Sequence, residues 1–408
     1  MISKFNDERD WFFKKRFGLF VHWGLYAIPA WQEQILWRGN MTREKYETLI
    51  NQFNPVKYNP DKWLDLMEKA GMEYICITTK HHDGFCMFDT EYTDYNIMNT
   101  PYGQDVVSQL AEACHRRNIP LGLYYSIPDW HHPNYPNRGR HHEMFGPRAG
   151  DDPDREKYLA YVKNQMRELC TNYGEIHQIF WDVNVLEWFE PEVNEMIRSL
   201  QPKAIINDRG PAVGDFSTPE RHIPEGKEFD NPTEAVQSLG RESWGYKEDE
   251  DYYSHKHLMK SIDKIMAMNG NYKLNVGPKA DGTIEESNIE TLNRIGKWYD
   301  KIKESFIDTY PASSLIDNDK VLLTKKENTL YVHFWKEPEK DSIILNPLDI
   351  MPERAVLLNN GQELEARVDI TPWKWQEKPY LRIRKIPVNK YTDEVMVIKL
   401  EFDQSINK

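Results

Sequence analysis

The stretch HQIFWDVN, residues 177–184, runs through two aromatic residues into Asp182. A buried strand has no packing use for a carboxylate at its end, so the residue invites a chemical reading. Held beside aromatic rings with little water, an aspartate anion is a competent nucleophile. Other apolar runs end in the same way. His22-Trp23 closes FGLFVHW, Lys80-His81-His82-Asp83 follows EYICITT, Tyr124-Tyr125 falls in PLGLYYS, Asn207-Asp208-Arg209 follows KAII, and Asn275 falls in NYKLNV. One polar residue at a strand end is ordinary hydrogen bonding. Six such clusters need a shared reason, because each buried polar group left unpaired costs roughly 1–3 kcal/mol. A polyhydroxylated ligand supplies one.

Hydrolysis of a glycosidic bond needs one carboxylate at the anomeric carbon and a second group to protonate the departing oxygen. Asp182 suits the first role. Asp83, Asp208, Asp215, Glu220 and Glu234 are all candidates for the second, and residue type alone does not rank them. The adjacent pairs His81-His82, His131-His132 and His141-His142 raise a metal reading. Helix-borne metal sites space their histidines by a helical turn, and neighbours on a strand point to opposite faces. The expectation is therefore no metal and no cofactor. The last two pairs lie in DWHHPNYPNRGRHHEMFGPRAGDDPD, whose Pro, Gly and His content reads as a lid or rim.

These groups need a frame that brings strand ends together. From residue 16 to about 305, β-rich runs alternate with amphipathic segments such as PDKWLDLMEKAG, DVVSQLAEACHRRN and REKYLAYVKNQMRELCTNYG. Alternation over that length predicts an α/β fold with a parallel sheet, most economically a (β/α)8 TIM-like barrel whose strand ends share one mouth. An open doubly wound sheet is the alternative, although no GxGxxG follows the first strand. After Pro311 the texture becomes short alternating strands such as KVLLTKKENTLYVHFW and EVMVIKLEF. This predicts a C-terminal β-sandwich domain over residues 309–408, with the catalytic barrel over residues 1–308.

Composition narrows the partners. A net charge of -13 sets the chain against nucleic acid and anionic membranes, leaving neutral or weakly charged ligands. Thirteen Trp, 22 Tyr and 16 Phe supply core packing first and sugar-stacking faces second. Cys76, Cys86, Cys114 and Cys170 form no CxxC pair and read as reduced, buried thiols. No run approaches the roughly 18 apolar residues of a membrane span. The expectation is a soluble protein, cytoplasmic as it stands, or periplasmic or secreted where a leader has been removed.

Seven segments in order, RFGLFVHWGLYAIPAW, TTKHHDGFCMFDTEYTDYN, GLYYSIPDW, IFWD, INDRGPAVGDFSTPE, SWGY and LNVGPKADGTI, resemble the retaining α-L-fucosidases of glycoside hydrolase family 29. The resemblance spans about residues 9–300. It implies a somewhat distorted (β/α)8 barrel followed by a β-sandwich, and exo-hydrolysis of terminal α-L-fucosyl residues from oligosaccharides or glycoconjugates. By the same resemblance, Asp182 matches the nucleophile and Glu220 the general acid/base, with Glu234 as the fallback. His22, His81, His82, Tyr124 and Arg209 would hold the sugar, and Trp37 would pack on its methyl group. The chain departs from the family pattern at Leu36-Trp37-Arg38, where many members have Glu-Trp-Tyr and where Glu33 could substitute. It departs again at Thr233, in place of a Trp, and at Val183, in place of a Gly. These changes bear on the sugar and the aglycone more than on the reaction. Rival readings are an α-L-galactosidase of the same fold, which would want a polar pocket near Leu36 and Trp37, a carbohydrate-binding relative without catalysis, and a metal-dependent hydrolase. Retention of Asp182 and Glu220 argues against the second, and a chelator test would separate the third.

Overall fold

A computed structural model describes residues 2–39 and 41–406. Seven parallel strands form its central sheet: β1 (Phe17–Val21), β2 (Tyr74–Lys80), β3 (Leu121–Ser126), β4 (Gln178–Asp182), β5 (Ile205–Ile206), β6 (Glu234–Ser238) and β7 (Asn271–Val276). Their spatial order is β5-β4-β3-β2-β1-β7-β6. Both faces are covered, so β1, β2, β3 and β7 are buried along their whole length; β1, β2 and β3 read as largely apolar runs, whereas β7 buries Asn271, Lys273 and Asn275 among its apolar residues.

The edge strands β5 and β6 do not pair directly. Residues 215–221 run between them and bond to both: Asp215 donates its N–H to the Ile206 carbonyl at 2.6 Å, and Glu234 and Val236 donate to the carbonyls of Ser217 and Pro219, both at 2.9 Å. Parallel bridges Asn207–Phe216, Ser217–Thr233 and Glu220–Val236 complete this irregular eighth stave. The barrel is therefore a distorted one, curled from seven regular strands and closed by a segment that is not a strand in its own right.

Six long helices pack outside: α1 (Pro60–Lys69), α2 (Val106–Arg117), α3 (Arg155–Asn172), α4 (Pro191–Leu200), α5 (His255–Ala267) and α6 (Glu286–Ile302). Their starts follow the sequence chemistry. Asn59, Asp105, Asp154 and Ser254 each accept a backbone N–H from the first turn of the helix that follows, and Asn118 ends α2 in the left-handed region. Among the described residues, no helix lies between β5 and β6.

Between Tyr310 and Glu401 the chain forms a six-stranded antiparallel sheet and a three-stranded one. Leu323, Val332, Leu357 and Ile398 from the first share one core with Ile343, Leu381 and Ile383 from the second, which makes a sandwich. It seats on the barrel through α5 and α6. Trp298 donates its indole N–H to the Val395 carbonyl at 2.9 Å, and His333 meets Asp263 at 2.8 Å with both side chains fully buried. All four cysteines are free and buried, and burial pushes each thiol up to about 12. No helix is long and apolar enough to cross a membrane among the described residues.

Candidate active site

The C-terminal ends of the barrel strands open on a pocket lined by His22, His81, His82, Tyr124, Asp182, Arg209 and Glu220, with Phe20, Gln34, His142, Phe180, Val183, Val236 and Trp244 completing the wall. Asp182 is the last residue of β4 and accepts the Tyr124 hydroxyl at 2.6 Å and Arg209 Nη1 at 3.1 Å. The same Nη1 donates to Glu220 at 2.8 Å. One nitrogen thus bridges the two carboxylates, and the 3.1 Å and 2.8 Å contacts bound the gap between those oxygens at 5.9 Å. Arg209 is itself fixed by Thr218, whose hydroxyl and carbonyl accept Nε and Nη2 at 2.7 and 2.8 Å. Glu220 reaches the mouth because the closing stave carries it there.

Burial pushes the Asp182 carboxyl up, but the Arg209 charge and the Tyr124 hydrogen bond outweigh it and hold the group below the ordinary carboxylate value. The histidines shift the other way. Burial takes His22 from 6.5 down to about 3 despite its 2.6 Å contact with Asn275, and burial together with the neighbouring histidines holds His81 and His82 well below the usual imidazole range. All three are therefore neutral near pH 7, each ring pairing one donor with one acceptor. His82 spends its Nδ1 on the Ser126 hydroxyl at 2.6 Å, while His81 has a buried Nδ1 with no partner.

This arrangement has a cost that pH reveals. Because the folded-state value of His22 lies below its unfolded value, the unfolded chain takes up the proton first as pH falls below 6.5. Its contribution is fully present above that value and is lost as pH drops toward 3. At pH 5 the loss from His22 alone is about 2 kcal/mol, and the lowered Asp182 acts in the same direction. Urea midpoints should fall between pH 7 and pH 5, and His22→Gln should shrink the difference. An unchanged difference would show that the ring does not stay neutral in the fold.

Not every expected residue reaches the pocket. Glu234 begins β6 at the far end of the barrel, fully buried, where it pairs with Lys273 at 2.8 Å and accepts the Tyr74 hydroxyl at 2.6 Å and the Gln178 amide at 3.0 Å. The reason is register: it pairs with Asn271, the first residue of β7, whereas the mouth lies at the last. Trp37 does not line the pocket itself but stacks at 5.2 Å on His142, which does, and Leu36 is in the core. Glu33 is buried and accepts the Ser243 hydroxyl and the Trp244 N–H at 2.9 and 2.8 Å, so it shapes the SWGY turn. Two of the other candidate carboxylates are committed elsewhere, and Asp208 is exposed and does not line the pocket. Asp83 accepts the Tyr46 hydroxyl at 2.5 Å, and Asp215 pairs with Arg9 and Arg198 at 2.7 and 2.8 Å.

Phe20 and Phe180 were not expected at the site, although a signal existed. Each sits two residues before a mouth residue, His22 and Asp182, and period-two alternation puts both on the same face. Val183 has φ 56, a left-handed conformation that a β-branched residue adopts only under strain, directly after the nucleophile candidate. Among the described residues, no group of three or more metal-ligating side chains gathers in a metal-holding arrangement.

A curled parallel barrel with two carboxylates and a ring of neutral imidazoles at its mouth defines a glycoside hydrolase. The model of the alpha-L-fucosidase family matches residues 3–304, and the chain belongs to that family. It is 34% identical to alpha-L-fucosidase isoenzyme 1 from Paenibacillus thiaminolyticus, with a TM-score of 0.87 over 98% of this chain and 100% of that one. A Bacteroides thetaiotaomicron family 29 alpha-L-fucosidase, solved as a trapped covalent intermediate with 2-fluoro-fucosyl fluoride, is 25% identical with a TM-score of 0.82 over 98% and 97% of the two chains. Tissue alpha-L-fucosidase from Mus musculus is 28% identical over 370 residues, 82% of this chain and 80% of that protein.

Proposed function

We propose that the protein is a retaining exo-α-L-fucosidase acting on fucosylated oligosaccharides or glycoconjugates by double displacement. The observation that carries this reading is the Arg209 bridge, which keeps the two carboxylate oxygens within 5.9 Å. Retaining enzymes need about 5–5.5 Å between the carboxyl groups, whereas inverting ones need roughly 6.5–9.5 Å to admit a water. In the first step Asp182 attacks the anomeric carbon, the bond to the leaving oxygen breaks, and that oxygen takes the proton of Glu220. In the second, water attacks the same carbon, gives its proton to Glu220 and releases Asp182, with configuration retained.

His22, His81, His82, Tyr124 and Arg209 are the proposed sugar-holding groups. Phe20, Phe180, Val236 and Trp244 give the pocket an apolar wall suited to a 6-deoxy methyl group. An L-galactoside would bring a hydroxyl to that wall without a partner, which favours fucose. In this reading the chemistry belongs to residues 1–308, and residues 309–408 cover the barrel, since among the described residues no sandwich residue lines the pocket. Proton NMR of 4-nitrophenyl α-L-fucoside hydrolysis should show the α anomer of fucose formed first. Initial release of the β anomer would refute double displacement, and faster cleavage of the matching α-L-galactoside would refute the sugar assignment.

A further inference from the structure

His142 takes no part in the mechanism above, yet it lines the same pocket as Asp182. It comes from the long segment between β3 and α3, and everything around it is arranged to hold it still. The segment is rooted by Asp129, which pairs with buried Lys80 at 3.0 Å and accepts the N–H groups of His131 and His132 at 3.0 and 2.8 Å. The His142 carbonyl accepts the Trp130 indole N–H at 2.9 Å, and the next residue, Glu143, accepts the Tyr135 hydroxyl at 3.0 Å and the Arg140 guanidinium at 2.7 and 2.9 Å. The imidazole stacks on Trp37 and stands 5.0 Å from the ring of His82.

One feature of this placement is unfavourable for the free protein. The buried Nδ1 of His142 has no hydrogen-bond partner, in a segment that turns through the left-handed region at this residue with φ 64. A side chain held by its neighbours at the wall of a polar pocket with its hydrogen bonding incomplete is accounted for when a ligand completes that bonding.

We propose that His142 is a specificity-determining residue that hydrogen-bonds one ring hydroxyl of the bound deoxyhexose on the side of the pocket next to His82. This rests on the fucosidase reading and deepens it. Burial holds the imidazole down to about 4, so near neutral pH it offers one donor and one acceptor, the complement of a hydroxyl.

The test compares kcat/KM for 4-nitrophenyl α-L-fucoside and its 2-, 3- and 4-deoxy analogues in wild type, His142→Ala and His142→Gln, with thermal melts alongside. Loss of the contact should cost His142→Ala about tenfold to a hundredfold on the fucoside. Wild type should lose a similar factor on one deoxy analogue, and His142→Ala should lose almost nothing further on that analogue alone. His142→Gln, which keeps a donor and an acceptor, should recover part of the rate. An equal loss on all four substrates would mean a structural role and overturn the contact, as would no loss at all with wild type active. Wild type that neither hydrolyses the fucoside nor binds L-fucose by calorimetry would instead overturn the fucosidase reading, and the contact with it.

Discussion

Asp182→Ala should lower kcat/KM for 4-nitrophenyl α-L-fucoside by about 10^4-fold or more, the scale seen when a covalent nucleophile is removed. The side chain is placed for attack by β4, aimed by the Tyr124 hydroxyl and kept ionised by Arg209, and among the described residues Glu220 is the one other carboxylate that lines the pocket. The fold should survive, because Arg209 keeps Glu220 and Thr218 as partners. A circular-dichroism melt near that of wild type would separate lost chemistry from lost structure. The decisive readout is rescue. Removing the carboxylate leaves space on the β face of the sugar, and azide entering there should restore turnover and yield β-L-fucosyl azide. Retained activity without azide, or an α-azide product, would move the nucleophile elsewhere.

The parts of this site that were legible in the sequence are those where chemistry and periodicity coincide. Strands β1, β2, β3 and β4 announce themselves as largely apolar runs because both faces are buried, and a polar or aromatic mouth residue lies at or beside the end of each. Of the apolar run KAII that leads into Asn207-Asp208-Arg209, only Ile205–Ile206 pair as a strand. β6 was missed altogether. Its sequence EAVQS is nearly as polar as a loop, because Glu234 is buried by compensation with Lys273 and not by hydrophobicity. That error explains the misplacement of Glu234: without β6 the residue read as a loop carboxylate near the mouth, whereas register sends it to the opposite end. Glu33 and Trp37 fail for a related reason. They lie in a segment with a single four-residue helix, where no period states which side chain faces the pocket. His142 was visible only as part of a His-rich lid: Trp37 contacts both His141 and His142, and only the long-range contact to His82 singles out His142 as the one that meets the wall.

Glu220→Gln should have an effect that depends on the leaving group, and this dependence distinguishes an acid/base residue from a binding one. 4-Nitrophenoxide departs with little help from a proton, whereas a sugar alkoxide needs one, so the loss should be small for formation of the glycosyl-enzyme from the aryl fucoside and about 10^2–10^4-fold on a fucosylated oligosaccharide. Arg209 explains how a single cation can serve both stages. The proposed first step requires Glu220 to hold the proton while Arg209 Nη1 stabilises the Asp182 anion. Once Asp182 is an ester it has no charge, and the same nitrogen is free to stabilise Glu220 after it has given the proton up, which makes Glu220 the base for water. Azide needs no such base. It should therefore restore aryl fucoside turnover in Glu220→Gln and give α-L-fucosyl azide, the anomer opposite to that from Asp182→Ala. Glu234→Gln provides the contrast. It leaves Lys273 buried without its counter-charge and should cost about 3–5 kcal/mol in urea denaturation, with no leaving-group dependence and no azide rescue. If Glu234→Gln showed the leaving-group dependence and Glu220→Gln did not, the proton would have to travel through the barrel interior, and the assignment of Glu220 on the closing stave would be wrong.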